Sequence, residues 1–202
     1  PHEMKYLMEK EVLPRLKERF ETPFILHKTL LTQGIGESFL SEMISGFEDV
    51  LPANFKLAYL PSAGAVRLRL TASGNREEVT NTMNKLVAEL SDLVREYLYG
   101  YDEDTIQEVV GRLLKDKKLT LGTAESCTGG YLSHLITSIP GSSEYYMGST
   151  VTYSNESKTA LLDVPADLVI KFGAVSEEVV KAMAEGAKKK FNADCALATS
   201  GI

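Results

Sequence analysis

In the C-terminal half of the chain, short β-like runs alternate with helical patterns, and this alternation restricts the fold more than any other feature. The β-like runs cover residues 119–123, 149–153 and 194–200. Helical patterns begin at Thr128 and Asn155, just after the first two runs, and another begins at Ser176. Such alternation is typical of an α/β domain whose largely parallel sheet is covered by helices. We therefore predict a three-layer α/β/α domain over residues 101–202.

A different order of elements precedes this domain. Residues 22–100 predict the order β-α-β-β-α, which describes a small α+β domain. Its hairpin is predicted to turn at residues 61–64, and its last helix to cover residues 76–97. Residues 1–21 predict a separate helical segment, which Pro14 should kink or break.

Three of the predicted helices carry apolar residues at the spacing that buries one face of a helix. The stripes are Phe39, Leu40, Met43, Ile44 and Phe47; Val79, Met83, Leu86, Leu90 and Leu93; and Ile106, Val109, Val110, Leu113 and Leu114. We expect these stripes to face the cores of the two domains. Asp104 and Gln107 have the spacing of a capping box, so the third helix is predicted to begin there.

Charge and composition narrow the range of partners. The formal net charge of −6 disfavours nonspecific binding to nucleic acid or to an anionic membrane. No apolar run approaches the roughly 18 residues of a membrane-spanning helix. Two cysteines cannot form a disulfide framework, and the three histidines are scattered without partners at metal-ligand spacing. We therefore expect a cytoplasmic protein that binds no metal, no membrane and no nucleic acid.

The segment TAESCTGG, residues 123–130, lies at the first strand-to-helix junction. The apolar stripe of the following helix places Ser126 at the turn between strand and helix. Free backbone N–H groups there would favour an anion, and Gly129 and Gly130 would let a ligand approach closely. Three interpretations stay open: Ser126 or Thr128 caps the helix, the turn cradles an anion, or Ser126 is a nucleophile.

A serine nucleophile needs a base, and Lys158 is the candidate. His134 lies two turns along the same helix and is expected to point away from Ser126. Lys158 follows the second strand, after Tyr153 and a predicted helix cap at Asn155. In a parallel sheet both junctions fall at the same edge. Burial would lower the lysine pKa from about 10.4 toward about 7–8, whereas a solvated surface lysine would remain a poor base.

The third strand brings Thr199 and Ser200 to the same edge, where their hydroxyls would bind substrate or cap a turn. Cys195 lies within that strand and is expected in the core. Cys127 is a rival nucleophile, because a thiol at a helix N terminus can be acidified. Ser126 and Cys127 should point in different directions, with one of them buried, and the sequence alone does not orient them.

Four separated motifs resemble one protein family. They are AESCTGG at residues 124–130, YSNESK at 153–158, GAVS at 173–176 and ATSGI at 198–202. In this order and spacing they are similar to the C-terminal domain of the competence/damage-inducible CinA family, a nicotinamide-nucleotide amidase. The preceding domain resembles the KH-type middle domain of that family, and residues 1–21 resemble the end of its N-terminal domain. The resemblance implies an internal piece of a longer protein.

The activity that this resemblance implies is deamidation of nicotinamide mononucleotide to nicotinic acid mononucleotide and ammonia, without a metal or organic cofactor. Ser126 and Lys158 would be the catalytic pair, and Tyr153 would assist them. The residues implied in substrate or oxyanion contacts are Cys127, Thr128, Gly129, Gly130, Thr199 and Ser200. The expected partners are a small nucleotide substrate and a second copy in a homodimer. The family continues after SGI, so these residues alone would lack a wall of the site.

Two other functions stay open on the sequence alone. The KH-type resemblance suggests a nucleic-acid-associated or scaffold role linked to competence or DNA damage. Residues 22–100 carry seven basic and nine acidic residues, and Gly34-Ile35-Gly36 lacks the G-x-x-G pattern, so we favour a structural or dimerising role for that domain. The other alternative is a hydrolase that uses Cys127 as its nucleophile.

Overall fold

The computed structural model describes residues 2–20 and 23–201. The chain forms two compact units, Pro1–Glu103 and Asp104–Ile202. The boundary predicted between residues 21 and 22 lies outside the described residues.

A helix with an internal π-helical segment begins the first unit. It consists of α1 (His2–Leu7), the π-helical segment (Met8–Val12) and α2 (Leu13–Arg19). Pro14 has no N–H to donate to the preceding turn, and the wider π-helical turn accommodates it. The helix therefore continues past Pro14 without a break, and none of its described residues is buried.

An antiparallel sheet with the strand order β2-β3-β1-β4 forms the rest of the first unit. Its elements are β1 (Ile25–Gln33), α3 (Glu37–Glu48), β2 (Phe55–Ser62), β3 (Ala65–Ser73), α4 (Arg76–Leu93) and β4 (Leu98–Tyr101). The prediction lacks β4, because its four residues, LYGY, show no alternation of apolar and polar side chains. This strand forms by pairing with β1, in a register that shifts between Leu31 and Thr32.

The hairpin of the first unit turns more tightly than predicted. Pro61 and Ser62 belong to β2 and pair with β3, so that only Ala63 and Gly64 connect the strands. Gly64 has a φ of +72°, a left-handed conformation that glycine adopts at no steric cost at the second position of a turn. Because β2 is an edge strand, the missing N–H of Pro61 need not break the ladder.

Helices α3 and α4 supply one side of the first core, although some predicted stripe residues stay outside it. The buried stripe residues are Leu40, Ile44 and Phe47 of α3 and Val79, Met83, Leu86 and Leu90 of α4. Phe39 and Met43 lie beside the buried stripe of α3, and Phe39 is 72% exposed. Leu93 is also exposed, because α4 ends there and not at residue 97 as predicted.

The second unit is built on a parallel sheet with the strand order β6-β5-β7. The strands are β5 (Leu121–Glu125), β6 (Tyr146–Val151) and β7 (Cys195–Thr199). The helices are α5 (Ile106–Lys117), α6 (Tyr131–Thr137), α7 (Asn155–Leu162), α8 (Ala166–Phe172) and α9 (Glu177–Phe191), with a 3-10 turn at Ser142–Glu144. The prediction lacks α8, which has only seven residues.

Two cores lie on opposite faces of this sheet. Leu121 packs with α5 and α6, whereas Ala124 packs with α7, α8 and α9. Positions 121 and 124 face opposite ways because side chains alternate along a strand. The predicted α/β/α architecture is confirmed.

Helix α5 begins and packs differently from the prediction. Thr105, and not Asp104, caps it and forms the capping box with Glu108. Within the predicted stripe only Leu114 is buried, and Gly111, the other buried residue of α5, lies against Tyr145. The exposed members of the stripe are Ile106, Val110 and Leu113.

Two further helix starts are also displaced. Helix α6 begins at Tyr131 and not at Thr128, because residues 127–130 form a turn before it. Ser154 caps α7, where we predicted Asn155. The strand-to-helix junctions themselves lie where the sequence predicted them.

Helices α9 and α7 approach so closely that Gly186 has no room for a side chain. A Cβ at Gly186 would lie 2.1 Å from the carbonyl oxygen of Leu162, a backbone atom. We expect Gly186→Ala to lower the free energy of unfolding by about 2 kcal/mol or more, since overpacking strains both helices. Urea unfolding followed by circular dichroism measures this change.

Gly46→Ala in α3 is the matched control, because no atom lies within 4 Å of a Cβ built there. Alanine is favoured over glycine in a helix interior by about 0.5–1 kcal/mol, so this variant should be at least as stable as the wild type. An unchanged unfolding midpoint for Gly186→Ala would contradict the close approach of α7 and α9.

Candidate active site

The ends of three parallel strands meet at one edge of the second unit. Glu125 at the end of β5 is in register with Val151 of β6 and Thr199 of β7. The next residues continue this pairing: Ser126 N donates to Thr199 O at 3.0 Å, and Thr152 N donates to Glu125 O at 2.8 Å. The junctions that carry the predicted site residues therefore lie side by side.

Lys158 and Ser126 contact each other at this edge. The Lys158 Nζ lies 3.2 Å from Ser126 Oγ, and the two residues are only 1% and 9% exposed. The same Nζ donates to the carbonyl oxygen of Thr152 at 2.9 Å and lies 3.5 Å from that of Tyr153. The short helix α7 supports this geometry, because Lys158 lies in its first turns, just after the cap.

The environment of Lys158 favours a neutral amine. Burial removes water from the ammonium group and lowers the pKa of Lys158 below its usual value. None of the ion pairs among the described residues includes Lys158, so no carboxylate opposes this effect at close range. The solvated surface lysine that the sequence left open is therefore excluded.

Most backbone amides of the turn after β5 are already bonded. Ser126 N donates to Thr199 O, Gly129 N donates to Ser126 O at 3.1 Å, and Gly130 N donates to a Glu125 carboxylate oxygen at 3.0 Å. Within residues 126–130, the described structure gives an acceptor to every amide except those of Cys127 and Thr128. These two N–H groups are the ones available to a bound oxyanion.

Gly129 and Gly130 serve the shape of this turn. Their φ values are +58° and +100°, in the left-handed region that most side chains avoid. The sequence predicted that Gly129 and Gly130 would contact a bound anion. Their amides already donate to acceptors within the protein. Their contribution is to turn the chain between Ser126 and α6.

Glu125 is a site residue that sequence reasoning missed. Its side chain is fully buried, and its carboxylate accepts five hydrogen bonds from the start of α6 and the turn before it. The donors are Thr128 Oγ1 at 2.7 Å, Gly130 N at 3.0 Å, Leu132 N at 2.9 Å, Ser133 N at 2.8 Å, and Ser133 Oγ. The available signal was a charged residue that ends an apolar strand directly before a glycine-containing turn.

Glu125 stays ionised in spite of its burial. Desolvation raises the pKa of Glu125, but the bonds from Ser133, Thr128 and the α6 amides outweigh it and hold the pKa below its usual value. The N terminus of α6 therefore already carries an internal anion. The amides of Leu132 and Ser133 are therefore occupied, and an external anion at this turn remains a prediction for the amides of Cys127 and Thr128.

The remaining predicted residues lie around the Ser126–Lys158 contact in different ways. The hydroxyls of Thr199 and Thr128 are hydrogen-bonded to each other at 2.6 Å, and Ser200 Oγ donates to Ala174 O at 2.9 Å. The side chain of Tyr153 is 76% exposed, and its hydroxyl has no hydrogen-bond partner among the described residues. Thr199 and Ser200 thus connect the end of β7 to the turn and to the segment between α8 and α9.

The two cysteines differ in position and in surroundings. Cys127 is exposed, and Ser126 is the buried member of the adjacent pair. Cys195 is partly buried against the core that contains Leu114 and Leu121. The contact with Lys158 therefore belongs to the serine hydroxyl, and the Cys127 thiol lies on the solvent side of the turn.

Neither a metal cluster nor a membrane-spanning helix occurs in the described part of the chain. Residues 2–20 and 23–201 contain no group of three or more His, Cys, Asp or Glu side chains placed to hold a metal ion. No helix in the same residues combines the length and the apolar character needed to cross a bilayer.

Both units match known domain families. Residues 103–202 match the CinA C-terminal domain, and residues 27–100 match the KH domain of the damage-inducible protein CinA. The curated relatives include CinA-like proteins of Cytophaga hutchinsonii and Flavobacterium psychrophilum, each 49% identical over 100% of this chain and 49% of the relative. The chain thus spans about half the length of the curated relatives it matches.

Solved structures of proteins with related sequences are also similar. The competence damage-inducible protein A of Klebsiella pneumoniae is 37% identical, with a TM-score of 0.47 over 47% of this chain and 59% of that chain. A CinA superfamily protein of Escherichia coli is 33% identical, with a TM-score of 0.47 over 47% of this chain and 55% of that chain. By its two domain matches and its curated relatives, the chain belongs to the CinA family.

Proposed function

We propose that the second unit hydrolyses the carboxamide of nicotinamide mononucleotide to nicotinic acid mononucleotide and ammonia. One observation carries the reaction type: a buried lysine amine, which forms no ion pair with any described residue, lies 3.2 Å from the hydroxyl of a buried serine. Such a lysine is a base for a serine nucleophile. The choice of a pyridine nucleotide rests on the resemblance of the four motifs to the CinA amidase domain.

In the proposed first step, neutral Lys158 takes the proton of Ser126 as Oγ attacks the carboxamide carbon. A neutral amine has two N–H donors and one lone pair. The carbonyl oxygens of Thr152 and Tyr153, at 2.9 and 3.5 Å, accept from the two donors. The lone pair is then directed at the Ser126 hydroxyl, so the proton transfer needs no intermediate group.

The tetrahedral intermediate would place its oxyanion at the free amides of Cys127 and Thr128. Two preorganised N–H donors stabilise the developing charge at that point. Lys158 returns its proton to the leaving ammonia, and water then hydrolyses the acyl-serine to the carboxylate. Tyr153, with its exposed side chain, is assigned to the substrate and not to the proton transfer.

The first test is ammonia release from nicotinamide mononucleotide by the full-length protein. Ser126→Ala removes the nucleophile and Lys158→Met removes the base, so each variant should lose at least about a thousandfold in kcat/KM. Lys181→Met is the matched control, because Lys181 is an exposed lysine of α9 whose ion pair with Glu177 lies outside the site. It should retain the wild-type rate.

Cys127→Ala separates the serine mechanism from the cysteine alternative. The substitution keeps the Cys127 N–H and removes the thiol, so ammonia release should remain measurable. Loss of release in Cys127→Ala together with full activity in Ser126→Ala would assign the nucleophile to the thiol. Equal rates in the wild type and Lys158→Met would contradict the lysine base.

A prediction about the stability of the folded protein follows from the lowered pKa of Lys158. Between the lowered folded value and the unfolded value of about 10.4, the unfolded chain binds a proton that the folded chain does not. The stability of the wild type should therefore rise with pH in this window, by up to about 1.4 kcal/mol per pH unit. Lys158→Met, which has no amine, should lack this contribution.

The measurement is urea unfolding of the wild type and Lys158→Met between neutral pH and pH 10. Lys158→Met should be the more stable protein at neutral pH, and its advantage should shrink as the pH rises. A stability difference that does not change with pH would mean that Lys158 keeps its ordinary pKa in the folded protein, and the proposed base would then be protonated at neutral pH.

A further inference from the structure

Glu125 immediately precedes Ser126, and both oxygens of its buried carboxylate accept hydrogen bonds from protein groups. One oxygen accepts from Thr128 Oγ1, Gly130 N and Leu132 N, and the other accepts from the amide and hydroxyl of Ser133. An ordinary helix cap satisfies one or two amides with an exposed side chain. This carboxylate instead organises the whole connection between β5 and α6 from inside the protein.

We propose that Glu125 is a positioning residue, which holds the Ser126 turn so that the amides of Cys127 and Thr128 stay free for the oxyanion. The inference rests on the proposed Ser126–Lys158 chemistry. Glu125 acts through the turn, and its own oxygens, filled by protein donors, make no contact with the substrate.

The hydrogen-bond directions in the turn follow from proton counting. Thr128 has one hydroxyl proton, and an ionised carboxylate can only accept, so Thr128 Oγ1 donates to Glu125. The bond of 2.6 Å between Thr199 Oγ1 and Thr128 Oγ1 must then be donated by Thr199. A directed chain of hydroxyls thus runs from the end of β7, through the turn, to the carboxylate.

The turn is consequently held from both sides. The Ser126 N–H donates to the Thr199 carbonyl oxygen on one side, and the Thr128 hydroxyl donates to Glu125 on the other. Between these two anchors lie the amides of Cys127 and Thr128, which have no acceptor in the described structure. Their alignment depends on the anchors, because no intrahelical bond holds them.

A neutral carboxamide could not replace the carboxylate. Glutamine has one acceptor oxygen, and its NH2 group can only donate. In either orientation that NH2 group would face at least two of the existing donors, because both carboxylate oxygens accept from protein groups. Glu125→Gln must therefore break bonds that hold the turn, although it preserves the shape of the side chain.

The internal anion also restricts where the substrate can carry charge. With an ionised carboxylate at the α6 N terminus, a phosphate there would face like charge and amides that are already bonded. The phosphate of a nucleotide substrate must bind elsewhere. Because the phosphate binds elsewhere, Glu125→Gln should leave KM nearly unchanged. It should lower kcat, because the amides that hold the oxyanion would be misplaced.

The test uses a reagent that reports on Ser126 whatever the natural substrate is. With an alkyl fluorophosphonate, Ser126 Oγ forms a bond to phosphorus, the P–F bond breaks, fluoride leaves, and Lys158 takes the serine proton. The phosphoryl oxygen takes the oxyanion position, so the labelling rate depends on the turn amides. Mass spectrometry of the full-length protein identifies the labelled residue and measures the rate across a pH series.

We expect Glu125→Gln to slow labelling by about 10- to 100-fold at the high-pH plateau, less than the roughly 100- to 1,000-fold cost of a deleted oxyanion donor, because the turn amides are misplaced and not removed. The midpoint of the pH–rate profile should stay in place, because it belongs to Lys158. A shift of the midpoint with an unchanged plateau would overturn the inference, since Glu125 would then act on the base and not on the turn.

Glu108→Gln is the matched control, made at a glutamate that forms a capping box at the start of α5 in the same unit. Glu108 accepts from the Thr105 amide at 2.9 Å and the Thr105 hydroxyl at 2.8 Å at the start of α5. It should lose some stability and label at the wild-type rate. If Glu125→Gln likewise loses only stability, Glu125 is a helix cap alone and the inference is wrong.

Thr128→Val keeps the inference testable if Glu125→Gln does not fold. It removes the hydroxyl that joins Thr199 to the carboxylate and leaves four of the five donors to Glu125 in place. Labelling should fall about tenfold. A wild-type rate in Thr128→Val would overturn the inference.

The same experiment separates the two proposals. Labelling of Ser126 without ammonia release from nicotinamide mononucleotide would refute the proposed substrate, and the Glu125 comparison would still be decided by the labelling rates. A wild-type protein that is not labelled at Ser126 would refute the nucleophile and, with it, the role of Glu125.

Discussion

Parallel pairing of β5 with both of its neighbours is the constraint on which the site depends. Because β6 and β7 run in the same direction as β5, their C-terminal ends lie at one edge in register with Glu125. Residues far apart in sequence meet there: Ser126 follows β5, Thr199 ends β7, and Lys158 lies in α7, which follows β6. An antiparallel arrangement of the same strands would send one of these turns to the opposite edge.

Glu125 and Lys158 are two ionisable groups buried at this edge, and burial affects their charge states differently. Five hydrogen bonds keep Glu125 ionised, so its pKa falls although desolvation alone would raise it. Among the described residues the amine of Lys158 bonds only uncharged oxygens, so desolvation lowers its pKa and favours the neutral amine. Both pKa values are lowered, but the result differs: Glu125 stays charged, whereas Lys158 is shifted toward its neutral form.

Two glycines allow helices of the second unit to pack closely against their neighbours. Gly186 lets α9 lie against the backbone of α7, and Gly111 lets α5 lie against Tyr145, whose hydroxyl would be 2.6 Å from a Cβ there. Helix α7, which carries Lys158, is thereby held against α9. The position of the lysine amine is thus a consequence of helix packing as well as of its own cap.

The sequence by itself determined the α/β alternation, the junction that holds Ser126 and the residues most suited to act there, because periodicity and strand-to-helix turns are local properties. Local patterns did not reveal β4, which exists only through pairing with β1, nor the exposure of Phe39 and Ile106, which depends on where each helix meets its core. Tertiary structure alone decided that the Ser126 hydroxyl and the Lys158 amine lie 3.2 Å apart and that the Lys158 amine is buried. It also decided that Glu125 fills the helix end that the sequence offered to a ligand, because hydrogen-bond donors from a turn and a helix converge on one carboxylate only when the chain is folded.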